Sequence, residues 1–215
     1  MFTGIIEEIG IIKQIQKGAH SAVLQIQANV VLNGLKIGDS VAVNGVCLTV
    51  TRIQANCFHA DVMHETLNRS ALSNLTIGSC VNLERAMAAN GRFDGHIVAG
   101  HVDDIGKIIA IQRDDNAVWY TITASPSVMR YIVEKGSITI DGISLTVARL
   151  TSDSFSVSII PHTAHITTLG KRKMGDIVNL ENDIIGKYVE KFLNLPIHKP
   201  EKNTMTREWL QQQGF

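Results

Sequence analysis

The feature that most constrains this chain is an internal repeat. Shifted by 97 positions, Ser40–Glu84 falls on Ser137–Glu181 without a gap, and 14 of the 45 aligned pairs are identical. Gly45/Gly142, the Leu-Thr-Val triplets at 48–50 and 145–147, Phe58/Phe155, Thr66/Thr163, Gly78/Gly175 and the Val-Asn-Leu-Glu runs at 81–84 and 178–181 all match. The amino-terminal piece matches at a shift of 96, with Gly4/Gly100, Ile9/Ile105, Gly10/Gly106, Ile12/Ile108, Ile15/Ile111 and Gln16/Gln112. Solenoid units of roughly 20–50 residues need neighbours to bury their faces. A unit near 97 residues is instead the size of a small domain. The 215 residues therefore divide into units at 1–96 and 97–193, followed by a tail at 194–215.

Each unit reads as strands. Val41–Val46 and Ile138–Ile143 carry Asn-Gly and Asp-Gly between β-prone flanks, the strongest short-range hairpin signal. Cys47-Leu-Thr-Val-Thr, Ser144-Leu-Thr-Val-Ala and Phe155-Ser-Val-Ser-Ile-Ile continue as alternating strands. Short strands with a turn every 8–12 residues point to an all-β closed barrel or sandwich rather than βαβ units. Helices are few. Ser125 as N-cap, Pro126 at N1 and Gly136 as stop predict a helix over 127–135, with a weaker equivalent at 29–32 ended by Gly34. Ile185, Tyr188, Val189, Phe192 and Leu193 share one helical face, and Pro196 ends that run. The segment around Pro200 and 201–203 reads as a loosely held tail, and 207–213 as a terminal helical turn.

Composition removes several function classes. Lys+Arg and Asp+Glu are both 20, so the chain lacks the basic footprint of a nucleic-acid binder or of a charge-driven membrane binder. A 45% hydrophobic and 19% charged chain buries a core. Cys47, Cys57 and Cys80 are odd in number, with no Cys-x-x-Cys pair, which excludes a complete disulfide framework and weakens a zinc reading. The start MFTGIIEEIG lacks the basic flank and apolar run of a signal peptide, and no stretch nears ~18 apolar residues. A soluble, cytoplasmic protein without a structural zinc site is the expectation. No glycine-rich phosphate loop or Gly-x-Ser-x-Gly elbow is present.

A duplicated frame directs attention to positions where the copies differ. Ile5 aligns with His101, Gly38 with Lys135, Cys47 with Ser144, and Ala86 with Asp183, while Ser40/Ser137 and Thr49/Thr146 are shared. The second copy thus carries reactive groups that the first mostly lacks. Structural readings compete with each. A strand histidine is more often a hydrogen-bonded structural residue, Lys135 in a last helical turn favours the macrodipole, Cys47 packs as a small hydrophobe, and Asp183 caps a helix. His96 and His101 read as opposite faces of one strand, a poor metal pair. Spacing alone describes a two-barrel small-molecule binder, enzyme undecided.

The same residues resemble the riboflavin synthase α-chain family. Met1-Phe-Thr-Gly-Ile-Ile6 is similar to its amino-terminal signature, and Asn90-Gly-Arg-Phe-Asp-Gly-His-Ile-Val-Ala-Gly-His-Val-Asp103 to its inter-domain segment. Gly45-Val-Cys-Leu-Thr-Val and Gly142-Ile-Ser-Leu-Thr-Val resemble its paired ligand-binding strands, and Met63-His-Glu-Thr and Ile160-Pro-His-Thr its second pair of pocket segments. The resemblance runs from residue 1 to about 193. It implies two tandem six-stranded Greek-key β-barrels, a C-terminal helix that drives a homotrimer, and no bound cofactor. The implied reaction, the last step of riboflavin biosynthesis, is dismutation of two 6,7-dimethyl-8-ribityllumazine molecules by transfer of a four-carbon unit. Its products are riboflavin and 5-amino-6-(D-ribitylamino)uracil, and its site lies between the N-terminal barrel of one subunit and the C-terminal barrel of the next.

Under that resemblance, His101 oriented by Thr146 is the expected proton-transfer group, its unperturbed pKa lying near neutrality. Ser144 and Cys47 contact the reacting rings, and Asp183 and Lys135 position or polarise the acceptor. The substrate is expected against Gly4, Ile5 and Ile6, Ser40, Leu48 and Thr49, and Asp61, Val62, Met63, His64, Glu65 and Thr66. The second set is Gly100 and Val102, Leu145, and Ser158, Ile159, Ile160, Pro161, His162 and Thr163. The rival within the superfamily is a monomeric lumazine-binding antenna without catalysis. A flavin reductase ranks far behind, for want of a nicotinamide motif.

Overall fold

The computed structural model describes residues 1–19, 21–194 and 207–214. Strands β1 (Glu8–Lys17), β2 (Ser21–Gln27), β3 (Ser40–Val43), β4 (Val46–Gln54), β5 (Cys57–Met63) and β6 (Cys80–Arg85) close a barrel in the order β1-β2-β5-β4-β3-β6. Strands β7 (Asp104–Asp114), β8 (Ala117–Thr123), β9 (Ser137–Ile140), β10 (Ile143–Leu150), β11 (Ser154–Ile159) and β12 (Ile177–Asn182) close a second with the same cyclic order. All pairings are antiparallel. Closure leaves no sheet edge to cover.

The repeat pairs are the two cores. Ile12, Ile26, Val41, Val43, Val50, Phe58, Val81 and Leu83 fill the first barrel, and their counterparts Ile108, Ile122, Ile138, Ile140, Val147, Phe155, Val178 and Leu180 fill the second. Alternation of inward apolar and outward polar residues is what a closed sheet demands.

The outward residues of the repeat are used between the barrels. In the Val-Asn-Leu-Glu runs, valine and leucine point into the cores while each asparagine reaches across. Asn82 donates to the Asp141 carbonyl (2.8 Å) and accepts from the Thr168 amide (2.7 Å). Asn179 donates to the Asn44 carbonyl (2.8 Å) and accepts from the Ala71 amide (2.7 Å). The two hairpin turns meet on this pseudo-twofold axis. Asn44-Gly45 and Asp141-Gly142 all have positive φ, as the two-residue turn requires. A Cβ on Gly45 or Gly142 would lie 2.7 Å from the other glycine's nitrogen, so both positions exclude a side chain.

Helices are short: α1 (His64–Asn68), α2 (Pro126–Met129), α3 (Pro161–Ile166), α4 (Ile184–Leu193) and α5 (Arg207–Gln212). The helix expected over 127–135 is one turn only. Ser125 does stand at the N-cap with Pro126 following, but its hydroxyl bonds Asp104 (2.5 Å) rather than a helix amide. Beyond the turn, Ile132 enters the core, and the Lys135 amide donates to the Val147 carbonyl with Lys135 at φ 64. Lys135 therefore occupies a left-handed strand-entry turn, as its partner Gly38 does at φ 93, and the macrodipole reading of it lapses. Residues 29–34 form turns, not a helix. The expected α4 is present, capped by Asp183, whose carboxylate accepts from the Ile185 amide (3.0 Å). Its apolar face is bare: Tyr188 stacks on Phe192, and Ile185, Val189 and Leu193 are exposed. The expected terminal turn is α5, whereas Pro196, Pro200 and 201–203 lie outside the described residues. No described helix is long and apolar enough to cross a membrane.

Candidate functional site

Two equivalent extended segments exchange between the barrels. Phe2 and Val98 pair as an isolated antiparallel bridge near the axis. Past that bridge, the Thr3 and Gly4 amides donate to the Glu84 carboxylate (2.6 and 3.0 Å), and the Ala99 and Gly100 amides to Glu181 (2.7 and 3.1 Å). Burial raises both glutamate pKa values, and those amide bonds pull the other way. Each segment then meets the opposite barrel. The Ser144 amide donates to the Gly4 carbonyl (2.8 Å), and the Cys47 amide to the Gly100 carbonyl (2.9 Å). Ile6 consequently joins the core of the second barrel, while Val102 packs on that of the first. Residues 96–101 are thus a crossing segment, not the strand expected for His96 and His101.

The approach is too close for a side chain. A Cβ on Gly4 would come within 2.6 Å of the Ser144 Cβ, and one on Gly100 within 2.6 Å of the Cys47 Cβ. Both glycines also hold positive φ, 78° and 80°, a region L-residues avoid.

The crossing delivers His101 to the first barrel. There a cleft of about 410 Å³ is lined by Val46, Cys47, Met63, Glu65, Thr66, Arg69, Ser70, Gly100, His101 and Val102. Seven of these are expected site residues. Val46, Arg69 and Ser70 were missed; Arg69 sits one helical turn after Glu65, with which it pairs at 3.2 Å. The lining combines the apolar Val46, Met63 and Val102 with an imidazole, a thiol, two hydroxyls and the Glu65–Arg69 pair, a mixture suited to a flat ring with polar edges.

Grouping the unequal residues by sequence copy therefore fails in space. His101 belongs with Cys47, and no hydrogen bond joins it to Thr146 within the described residues. Ser144 is half-buried on β10, and Thr146 is exposed two residues along the same strand. The Ser144 hydroxyl lies 2.7 Å from His96 Nδ1, and His96 Nε2 lies 3.1 Å from Thr139 Oγ1. Burial pushes the His96 pKa down, and the charge of Asp183 pulls it partly back. His96 escaped the sequence comparison because it lies in the linker, outside the matched stretches.

The remaining expected contacts divide. Ile5 and Ser40 line a separate cleft of about 530 Å³ beside the linker, with Thr3, Glu84, Arg85 and Asp94. Leu48, Val62 and Ile159 point into the cores, so only their backbone can face a ligand. Thr49, Asp61, His64, Ser158, Ile160, Pro161 and His162 are exposed, and Leu145 and Thr163 are half-buried. No cluster of three or more metal-donor side chains occurs among the described residues.

The lumazine binding domain family matches the chain twice, over residues 3–86 and 99–183. The chain belongs to the lumazine-binding domain family. Its relatives include the riboflavin synthase of Actinobacillus pleuropneumoniae, 58% identical over 216 residues with both chains fully covered. That of Bacillus subtilis is 48% identical over 215 residues, again with both covered fully. Among solved structures, LumP complexed with riboflavin superposes with a TM-score of 0.79 at 24% identity, covering 85% of this chain and 99% of that one. Each of the two lumazine-binding repeats is thus one closed barrel, joined by the segment crossing from the other.

Proposed function

We propose that this chain is a riboflavin synthase, converting two 6,7-dimethyl-8-ribityllumazine molecules into riboflavin and 5-amino-6-(D-ribitylamino)uracil. The full-length identity of 58% to a relative of that name carries the reading. The duplicated frame fits it: a reaction between two copies of one molecule needs two similar sites, and the pseudo-twofold pair of barrels supplies them. Stacking two flat heterocycles converts a bimolecular step into an intramolecular one, worth up to roughly 7–11 kcal/mol.

The C7 methyl of the substrate is conjugated to an electron-poor ring, so this carbon acid needs only a modest base. His101 is that proton-transfer group, beside Cys47 in the first cleft. Ser144 and Cys47 present a hydroxyl and a thiol to the reacting rings, Thr146 orients His101 from a neighbouring subunit, and Asp183 and Lys135 polarise the acceptor. The protein works as a homotrimer in the cytoplasm, with each site formed by the first barrel of one subunit and the second barrel of the next. The bare apolar face of α4 supports such assembly. The same reading divides the chain at 1–96, 97–193 and 194–215, which contain the two family matches.

The test is purified protein with 6,7-dimethyl-8-ribityllumazine alone. One riboflavin per two substrates consumed is the expected result. Tight binding of lumazine without turnover would replace the synthase by an antenna. Turnover of a His101→Ala variant at the wild-type rate would remove the base assignment.

A further inference from the structure

We propose that His96 is a positioning residue for the second barrel's site, holding the Ser144 hydroxyl and exchanging its proton as charge develops on the bound ring. The inference rests on the synthase reading and adds to it a residue outside both family matches.

Three observations carry it. First, the imidazole is enclosed: His96 is 8% exposed and spends both ring nitrogens on hydroxyls, Ser144 Oγ at 2.7 Å and Thr139 Oγ1 at 3.1 Å. Ser144 and Thr139 face each other across β9 and β10, so the ring bridges a cross-strand pair. A neutral imidazole has one donor and one acceptor. The Thr139–His96–Ser144 chain is therefore polarised in one direction, and the Ser144 oxygen keeps capacity for a ligand.

Second, the ring's backbone is pinned. The His96 amide donates to the Thr3 carbonyl (3.1 Å), and a Cβ on Gly95 would lie within 3.3 Å of the Ser144 Cβ. Ser144 is held in turn by its own amide bond to Gly4. Such double restraint is what a preorganised site requires. Third, the arrangement departs from the pseudo-symmetry. Cys47, the counterpart of Ser144, makes the same backbone bond to its crossing segment, yet no imidazole hydrogen-bonds its sulfur among the described residues. The crossing itself does not need a histidine; the serine site has one.

The test is a double-mutant cycle on the full chain, using His96→Ala, Ser144→Ala and the pair, with riboflavin formation as readout. Residues that act as a unit are non-additive. His96→Ala should lower kcat about tenfold or more beside Ser144, with KM changing less than kcat, and less than twofold in the Ser144→Ala background. His96→Asn, whose amide nitrogen can reach Ser144, should recover part of the loss. Melting curves check folding, and if His96→Ala melts below the assay temperature the cycle is run with His96→Leu, which fills the space without a hydrogen-bonding group. Equal losses in both backgrounds, or a loss carried by KM alone, would overturn the role of His96 while wild-type turnover leaves the synthase reading standing. Wild-type protein that makes no riboflavin would overturn both.

Discussion

Replacing Asn82 by alanine tests whether the barrels are held by the crossed asparagines. Asn82 is fully buried and makes one donor and one acceptor bond, to the Asp141 carbonyl and the Thr168 amide. Each neutral bond contributes about 1 kcal/mol net, and each buried backbone group left without a partner costs about 1–3 kcal/mol. These ranges overlap in what they count, so the expected loss is about 2–5 kcal/mol. With an m-value of about 2–3 kcal/mol/M in urea, the unfolding midpoint should fall by about 0.7–2.5 M. Asn179→Ala, its pseudo-symmetric twin, should match it. Asn82→Asp is the sharper variant. A carboxylate still accepts from Thr168 but sets its second oxygen against the Asp141 carbonyl, so the defect should persist at neutral pH and shrink on acidification. A midpoint loss equivalent to under ~0.5 kcal/mol for either alanine variant would refute the reasoning, since no buried group would then have been stranded.

Three other outcomes follow from the geometry. Gly100→Ala combines a positive φ of 80° with a Cβ 2.6 Å from that of Cys47; riboflavin formation should fall at least tenfold, whereas Gly38→Ala, with open space around its Cβ, should lose stability only through its backbone. His96 has a folded pKa below its ordinary value through burial. Its stability contribution is therefore fully present above the usual imidazole range and is lost as pH falls through the folded value. Melting temperatures of wild type and His96→Asn should thus converge as pH drops below about 6.5, the unperturbed value, despite the raised Glu84 and Glu181, which act in the opposite sense in both proteins. Phe192→Asp on the bare face of α4 should shift the protein to monomer in size-exclusion chromatography with light scattering and abolish turnover. An unchanged mass would place the subunit contact elsewhere.

Much of the first cleft was legible because aligning the copies reports both the positions a shared frame keeps, Thr66 and Gly100, and those where the copies diverge, Cys47 and His101. Cys47, Thr66, Gly100 and His101 all came from comparing the copies, and they do meet. Asp183 was read both as a cap and as a chemical group; it caps α4, and its charge is felt at His96. The helix over 127–135 failed for a physical reason. Local caps favoured it, but Ile132 and the Lys135 amide are drawn to β10 and the core within four residues of one another.

The sequence by itself determined the two cores, the two Asn-Gly-type hairpins and the amphipathic face of α4. These depend on periodicity and turn chemistry within a few residues, and the second copy checks the first. Only the tertiary structure decided which barrel each reactive group serves. Gly4 bonds Ser144 and Gly100 bonds Cys47 because the two amino-terminal segments cross on the pseudo-twofold axis. No local pattern encodes that exchange, since the same strands, turns and core would form if each segment returned to its own barrel. The crossing is selected by long-range terms: the carboxylates of Glu84 and Glu181, the reach of Asn82 and Asn179, and the absent side chains of Gly4 and Gly100.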